Sequence, residues 1–151
     1  MPNTATVSGT LLDVLNQPVP GGKIVATLNG ADTFEDGIRI VTREIETTSD
    51  ANGDWSLDLI VNAEGMNAST TWAVEGFTPF VKSVFKVSNL FITTAAPILL
   101  GDLEAISAAS LQAAKNDRVV RLIVVNDYTE YSSLPANQKR PTDAVLVIPG
   151  V

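Results

Sequence analysis

The stretch from Glu44 to Leu59, Glu-Ile-Glu-Thr-Thr-Ser-Asp-Ala-Asn-Gly-Asp-Trp-Ser-Leu-Asp-Leu, constrains the fold more than any other part of the chain. Asn52-Gly53 is a turn signal, because both residues tolerate positive φ, and the pair predicts a two-residue I′ connection between two strands folding back on each other. After the turn, Trp55, Leu57, Leu59 and Val61 alternate with Asp54, Ser56 and Asp58. A strand puts alternate residues on opposite faces, so this one must rest an apolar face on a core and keep the other wet. The expectation is a β-rich domain built around an antiparallel hairpin.

The chain has 151 residues, enough for one ordinary domain or one domain with an appendage. Roughly 70% of the unfolded surface is buried at this size, so a core forms without staples. That matters because there is no Cys, hence no disulfide, no thiolate nucleophile and no Cys-based metal site. His is also absent, which removes Ser-His-Asp and Cys-His catalysis, imidazole ligation and a histidine pH switch. Ten Lys and Arg against 17 Asp and Glu give a net charge of -7, and the cations are scattered singly apart from Lys139-Arg140. No basic stripe exists to neutralise a phosphate backbone, so nucleic acid is not an expected partner. Met1-Pro2-Asn3-Thr4 has neither a basic nor an apolar signal region, and the apolar runs near Ala95–Leu100 and Leu122–Val125 are too short to cross a bilayer. No membrane association is expected.

Taken in order, Thr6 to Leu12 reads as a strand with Val7 and Leu11 on one face, followed by a reversal from Asp13 to Gly22 rich in Pro and Gly. Lys23 to Leu28 returns as a second strand. Ala31 to Gly37 is a polar connection holding one aromatic, Phe34. Within Ile38 to Thr48 the apolar parity changes between Ile38/Ile40 and Val41/Ile45, which predicts a bulge or a strand passing from one sheet to the other. Asn62 to Ser69 is a loop. Short strands follow at Thr70–Val74 and Val81–Val87, and Asn89–Leu100 is an extended segment whose end Pro97 demotes to an edge or loop.

From Gly101 the character changes. Asp102 to Lys115 is alanine-rich, with Asp102 as the expected N-cap, and predicts a helix. Leu103, Ile106, Ser110 and Ala113 follow a 3,4,3 spacing, suited to a helix lying across the sandwich or to tight packing between identical chains. Val119–Val125 and Asp143–Ile148 read as strands, Asn126–Pro135 as an exposed loop carrying Tyr128 and Tyr131, and Ala136–Thr142 as extended and mobile. The expected organisation is a sandwich domain over residues 1–100 and a helix-plus-β extension over residues 101–151.

Several constellations invite chemistry. Asp50, Asn52 and Asp54 have the spacing of the first oxygen ligands of a calcium loop, but Gly53 comes too early and no bidentate Glu follows. They form only a weak cation candidate beside the turn role. Asp54 and Asp58 share one strand face, joined by Glu44 and Glu46 if the hairpin register holds. Paired carboxylates can hydrolyse glycans, yet an exposed sheet face offers nothing to raise one pKa, so an acidic solvated face is the preferred reading. Trp72, Phe77, Phe80, Phe85, Tyr128 and Tyr131 suit stacking on sugars or proteins, and the two tyrosines stand out because their segment is polar. Asn67-Ala68-Ser69 matches a glycosylation acceptor. No catalytic residue, cofactor or firm metal site is assigned; the interface candidates are Leu103, Ile106, Leu111, Tyr128 and Tyr131.

The order of a strand with Val7-Ser8-Gly9, the turn Gln17-Pro18-Val19-Pro20-Gly21-Gly22, a second strand, then Thr48-Ser49-Asp50-Ala51-Asn52-Gly53-Asp54-Trp55-Ser56-Leu57 and an aromatic strand resembles the transthyretin-like or carboxypeptidase-regulatory-like β-sandwich over residues 5 to about 100. The resemblance implies a mainly all-β, Ig-like antiparallel sandwich of about seven strands, and is nearly silent about chemistry. Joined to the missing signal, the absence of Cys and the acidic, Thr- and Asn-rich surface, it resembles a tailed-bacteriophage virion component assembled in the host cytoplasm. What this implies is a non-enzymatic structural protein, a head decoration or fibre protein or a tail, collar or fibre-anchor component. Its expected partners are other copies of itself, a trimer being favoured, and other virion proteins. The alternative is a carbohydrate-binding or adhesion module on a phage or bacterial surface that takes a host glycan.

Overall fold

The computed structural model describes residues 1–41, 43–118, 122–136, 139 and 143–148, apart from the side chains of Arg118 and Tyr128. The chain forms two compact units, Met1–Gln112 and Ala113–Val151. The first is a β-sandwich of seven strands: β1 (Thr4–Thr10), β2 (Lys23–Asn29), β3 (Glu44–Thr48), β4 (Asp54–Ile60), β5 (Thr71–Phe77), β6 (Ser83–Leu90) and β7 (Ile98–Leu99). One sheet has the order β4-β1-β7 and the other β3-β2-β5-β6; all pairs are antiparallel except β1 with β7.

The predicted alternation sets the core. Val7 and Ala5 of β1, Trp55, Leu57 and Leu59 of β4, Ile24, Ala26 and Leu28 of β2, and Trp72 and Val74 of β5 are buried against one another. Gly9 pairs with Trp55 across β1 and β4, and a Cβ there would come within 2.8 Å of the indole, so the strand needs a notch at this position. The Trp72 Nε1–H donates to the Ile60 carbonyl at 3.0 Å, tying β5 of one sheet to β4 of the other.

The hairpin expected around Asn52-Gly53 is not one. β3 pairs with β2 and β4 pairs with β1, so the connection carries the chain from one sheet to the other. Alternation shows that a strand has a buried face but not which strand lies beside it. The change of sheet therefore falls after Thr48, not within Ile38–Thr48, where no strand precedes Glu44 among the described residues. Nor is the turn a I′ turn, since Gly53 alone of the pair has positive φ, at 79°.

Asp50–Asp54 instead repeats a five-residue turn found at Asp13–Gln17 and Thr78–Lys82. In each, the first N–H donates to the fifth carbonyl (2.9, 2.9 and 2.8 Å) and the fourth N–H donates to the first carbonyl (3.0, 3.0 and 2.9 Å). The first side-chain oxygen accepts from the fifth N–H, and the fourth residue, Asn16, Gly53 or Val81, is left-handed. All three turns close the same end of the sandwich, where Ser49 rivets the Pro/Gly reversal. Its hydroxyl accepts from Gly22 N–H at 2.9 Å and donates to the Val19 carbonyl at 2.6 Å.

The helix α1 spans Leu100–Arg118, longer than predicted at both ends, so Asp102 lies in its first turn and is not its cap. Leu103 is 1% exposed within the sandwich core. Ser107, one turn on, accepts from Phe91 N–H at 2.9 Å and donates to the Leu103 carbonyl.

In the second unit, β8 (Leu122–Val125) and β9 (Ala144–Val147) pair in parallel, with α2 (Tyr128–Ser132) between them in sequence. The segment expected to be a loop is thus partly helical. Asp127 caps α2, its carboxylate accepting from Glu130 N–H at 2.9 Å, while Glu130 accepts from Asn126 N–H at 2.7 Å. Residues 119–121 of the first predicted strand, and 137, 138 and 140–142 of the stretch expected to be mobile, lie outside the described residues.

Candidate functional site

The cation candidates are engaged in closing their turn. One oxygen of Asp50 accepts from the backbone N–H of Asn52 (2.8 Å) and Asp54 (3.0 Å), and Asp54 accepts from the Thr10 hydroxyl at 2.6 Å. Asp58 accepts from the Thr6 hydroxyl at 2.7 Å. Glu44 and Glu46 do not join that acidic face, because β3 belongs to the other sheet; Glu46 pairs with Lys23 at 2.6 Å. Among the described residues no three Asp, Glu, His or Cys side chains converge as a metal site would require.

Of the interface candidates, Leu103 is core and cannot offer a docking surface. Ile106, on the same helix, is 44% exposed and Leu111 is half-buried. Tyr128 opens α2, and its side chain lies outside the described residues. Tyr131 is half-buried, with its hydroxyl 3.4 Å from an Asp143 carboxylate oxygen and Lys139 Nζ 5.7 Å from its ring centre. It faces neighbours within its own unit, contrary to the expectation of an exposed loop. Of the other aromatics, Trp72 is buried, Phe77 and Phe85 are half-buried, and Phe80 is 92% exposed.

One exposed apolar feature is the open face of the β8/β9 pair; another is the turn end of the sandwich, where Val14, Leu15, Phe80 and Val81 are exposed. Register sets Val124 beside Leu146 and Leu122 beside Ala144, so these residues share a face, and Leu122, Val124, Leu146 and Ile148 are all exposed. The opposite face carries Ile123, Val125 and Val145, which are half-buried or buried, and Val147, which is 39% exposed. The β-prone runs were visible in the sequence; that they pair in parallel, and so present one apolar face, was not.

A second feature had no sequence signal. The connection from β2 to β3 folds back on itself, with Phe34 N–H donating to the Ile38 carbonyl at 2.8 Å and Leu28 N–H to the Arg43 carbonyl at 2.7 Å. It encloses a cleft of about 350 Å³ whose lining includes Leu28, Asp32, Phe34, Arg39, Arg43 and Thr70. Asp32 is buried but saturated: its carboxylate accepts from the N–H groups of Thr33 (2.8 Å), Asn67 (3.1 Å) and Ser69 (3.0 Å), and from the Asn67 side-chain amide (3.3 Å). Burial pushes its pKa up, but the backbone N–H donors of Ser69, Thr33 and Asn67 outweigh it and hold the carboxyl below the ordinary range. The Asn67 amide of the glycosylation triplet is thus engaged with Asp32. Neither Arg39 nor Arg43 forms an ion pair or side-chain hydrogen bond among the described residues.

No family model and no curated protein matches the chain. Among solved structures it aligns with a 9R-lipoxygenase from Cyanothece PCC8801 at 12% identity and a TM-score of 0.31, over 65% of this chain and 16% of that protein. A likeness of that size carries no argument about fold or activity.

Proposed function

We propose that this chain is a non-enzymatic structural protein of a tailed-bacteriophage virion, a head decoration or fibre protein or a tail, collar or fibre-anchor component, that assembles with copies of itself through Ala113–Val151. The observation that carries the self-assembly is the open face of β8/β9. Parallel strands ordinarily have both faces covered, and two strands alone do not hold together in water. A unit of this size, below about 40 residues, usually needs a disulfide, a metal or another subunit to fold, and the chain has no Cys. A second copy supplies the missing cover.

Charge supports the same choice. Met1–Gln112 holds five Lys and Arg against thirteen Asp and Glu, a net -8, whereas Ala113–Val151 holds five against four, a net +1. Copies meeting through the second unit avoid the repulsion that the first would impose. A closed ring, a trimer in the favoured form, leaves no open edge. The virion assignment is supported by the resemblance of residues 5 to about 100 to the transthyretin-like sandwich, joined to the absence of Cys and the acidic, Thr- and Asn-rich composition. Light scattering of the purified chain should give an oligomer, and Val124→Asp with Leu146→Asp should give a monomer whose sandwich melts unchanged. A strict monomer at high concentration overturns the reading.

The second reading, a carbohydrate-binding or adhesion module, is favoured by one observation: the cleft of Arg39 and Arg43.

A further inference from the structure

We infer that the cleft enclosed by the connection from β2 to β3 is a binding site for an oxyanion, a carboxylate or a phosphate, carried on a ligand of one or two sugar rings. This deepens the glycan-binding reading and does not depend on the assembly reading. The first unit holds only five cations, and two of the others are already paired, Lys23 with Glu46 at 2.6 Å and Lys86 with Glu75 at 3.9 Å. Arg39 and Arg43 stand apart: in a unit of net charge -8 they line one cleft and no carboxylate pairs with either.

The carboxylate that could have neutralised them is Asp32, which lines the same cleft. Three backbone N–H groups and the Asn67 amide already hold it, so its lone pairs are committed to the loops on either side. Glu35, Asp36 and Glu44 flank the arginines in sequence without forming an ion pair with them. Two guanidinium forks thus remain available, and a planar fork matches the two oxygens of a carboxylate or phosphate.

The rest of the cleft fits a small cyclic ligand. Leu28 and Phe34 give it a buried apolar floor, and Thr70 is buried beside them. Its volume, about 350 Å³, is at the lower end of the range for small-molecule sites. Its walls are built rather than loose. Gly30, at φ 84°, brings the backbone so close to the Ser69 carbonyl that a Cβ would lie 2.1 Å from it, and Met66 N–H donates to the Thr33 carbonyl at 2.9 Å.

The test titrates the full-length, isotope-labelled chain with glucuronate, glucose 6-phosphate, inorganic phosphate and glucose, following the arginine Nε–H signals at low salt. Glucuronate or glucose 6-phosphate should shift the Arg39 and Arg43 signals saturably while neutral glucose does not, and salt should weaken the binding. Arg39→Gln with Arg43→Gln should lower the affinity about tenfold or more, as loss of charge-assisted contacts does. Both arginines are exposed, so the variant should melt with the parent. Glucuronate alone binding identifies an acidic sugar; inorganic phosphate binding as well as the sugar phosphate identifies the phosphate group. No saturable shift with any anion, or equal affinity in the double variant, overturns the proposal. Neither result bears on the oligomeric state, so failure here is separate from failure of the assembly reading.

Discussion

The β1/β4 and β8/β9 pairs are both short runs of β-prone residues, yet they solve the problem of their second face differently. β1 and β4 bury Val7, Leu57 and Leu59 beneath the opposing sheet and dress the outer face with hydroxyl–carboxylate pairs, Thr6 to Asp58 and Thr10 to Asp54. β8 and β9 have no such outer face: Leu122, Val124 and Leu146 are as apolar as the residues behind them. A strand with one wet face can end a fold, whereas a strand with two dry faces requires a further layer. The first unit thus covers the inner faces of both its sheets, whereas the second leaves an apolar face uncovered, which is what motivates the proposed self-assembly.

Breaking the complete unit should have the largest effect. Trp55→Ala removes the ring that fills the Gly9 notch and should cost about 3–5 kcal/mol, by the cavity rule for buried aromatics. Chemical denaturation should show a sharply lowered midpoint for the sandwich. If the loss is under about 1 kcal/mol, the range for surface changes, the indole is not the keystone that its burial implies.

A smaller loss is expected at Asp32, which joins the two loops at the far end of the sandwich from the three equivalent turns. Asp32→Asn keeps the shape but leaves backbone N–H groups poorly matched, with a cost of about 1–3 kcal/mol. The pH dependence follows from the direction of its pKa. The folded state holds this carboxyl below its unfolded value, so its contribution is fully present above the ordinary carboxylate range and is lost as pH falls through the folded value. Thermal melts from neutral pH into acid should show a steeper decline for the parent than for Asp32→Asn. Equal slopes would remove Asp32 from the acid limb.

The first unit was the more legible of the two because its strands alternate. The buried sets on β1 and β4, the Pro/Gly reversal and the edge role after Pro97 follow from period-two patterning and turn chemistry, whereas Trp72 of β5, a stacking candidate in the sequence, is buried. What alternation leaves open is adjacency, and that is why the β3–β4 crossing read as a hairpin. The turn departs from the I′ form that Asn52-Gly53 predicts because the Asp50 carboxylate selects a longer turn by accepting from Asn52 and Asp54. The cleft was not legible at all: Leu28, Asp32, Arg43 and Thr70 come from separate segments, and nothing local marks two arginines as sharing a cavity. Leu103 was visible as one face of a helix, but the spacing is the same for a face turned to its own core as for one turned to a partner.

The second unit carries one local sequence signal of its helix, and it supplies the smallest and most discriminating prediction. Asp127-Tyr128-Thr129-Glu130 has the spacing of a capping box, and both carboxylates meet backbone N–H groups at the start of α2. A five-residue helix is too short to persist by itself, so its order depends on this cap and on packing against β8. Asp127→Ala should cost about 1 kcal/mol, the usual loss for a helix cap. The loss should appear as faster amide exchange confined to α2 and the β8/β9 pair, with the melting of the sandwich unchanged. If the second unit orders only when another copy covers it, the same variant should also shift the oligomer toward monomer on dilution, since a weakened unit presents its open face less often. Faster exchange without any shift in assembly would mean that the two-stranded sheet persists without a partner, and the contrast between the units would then be one of degree.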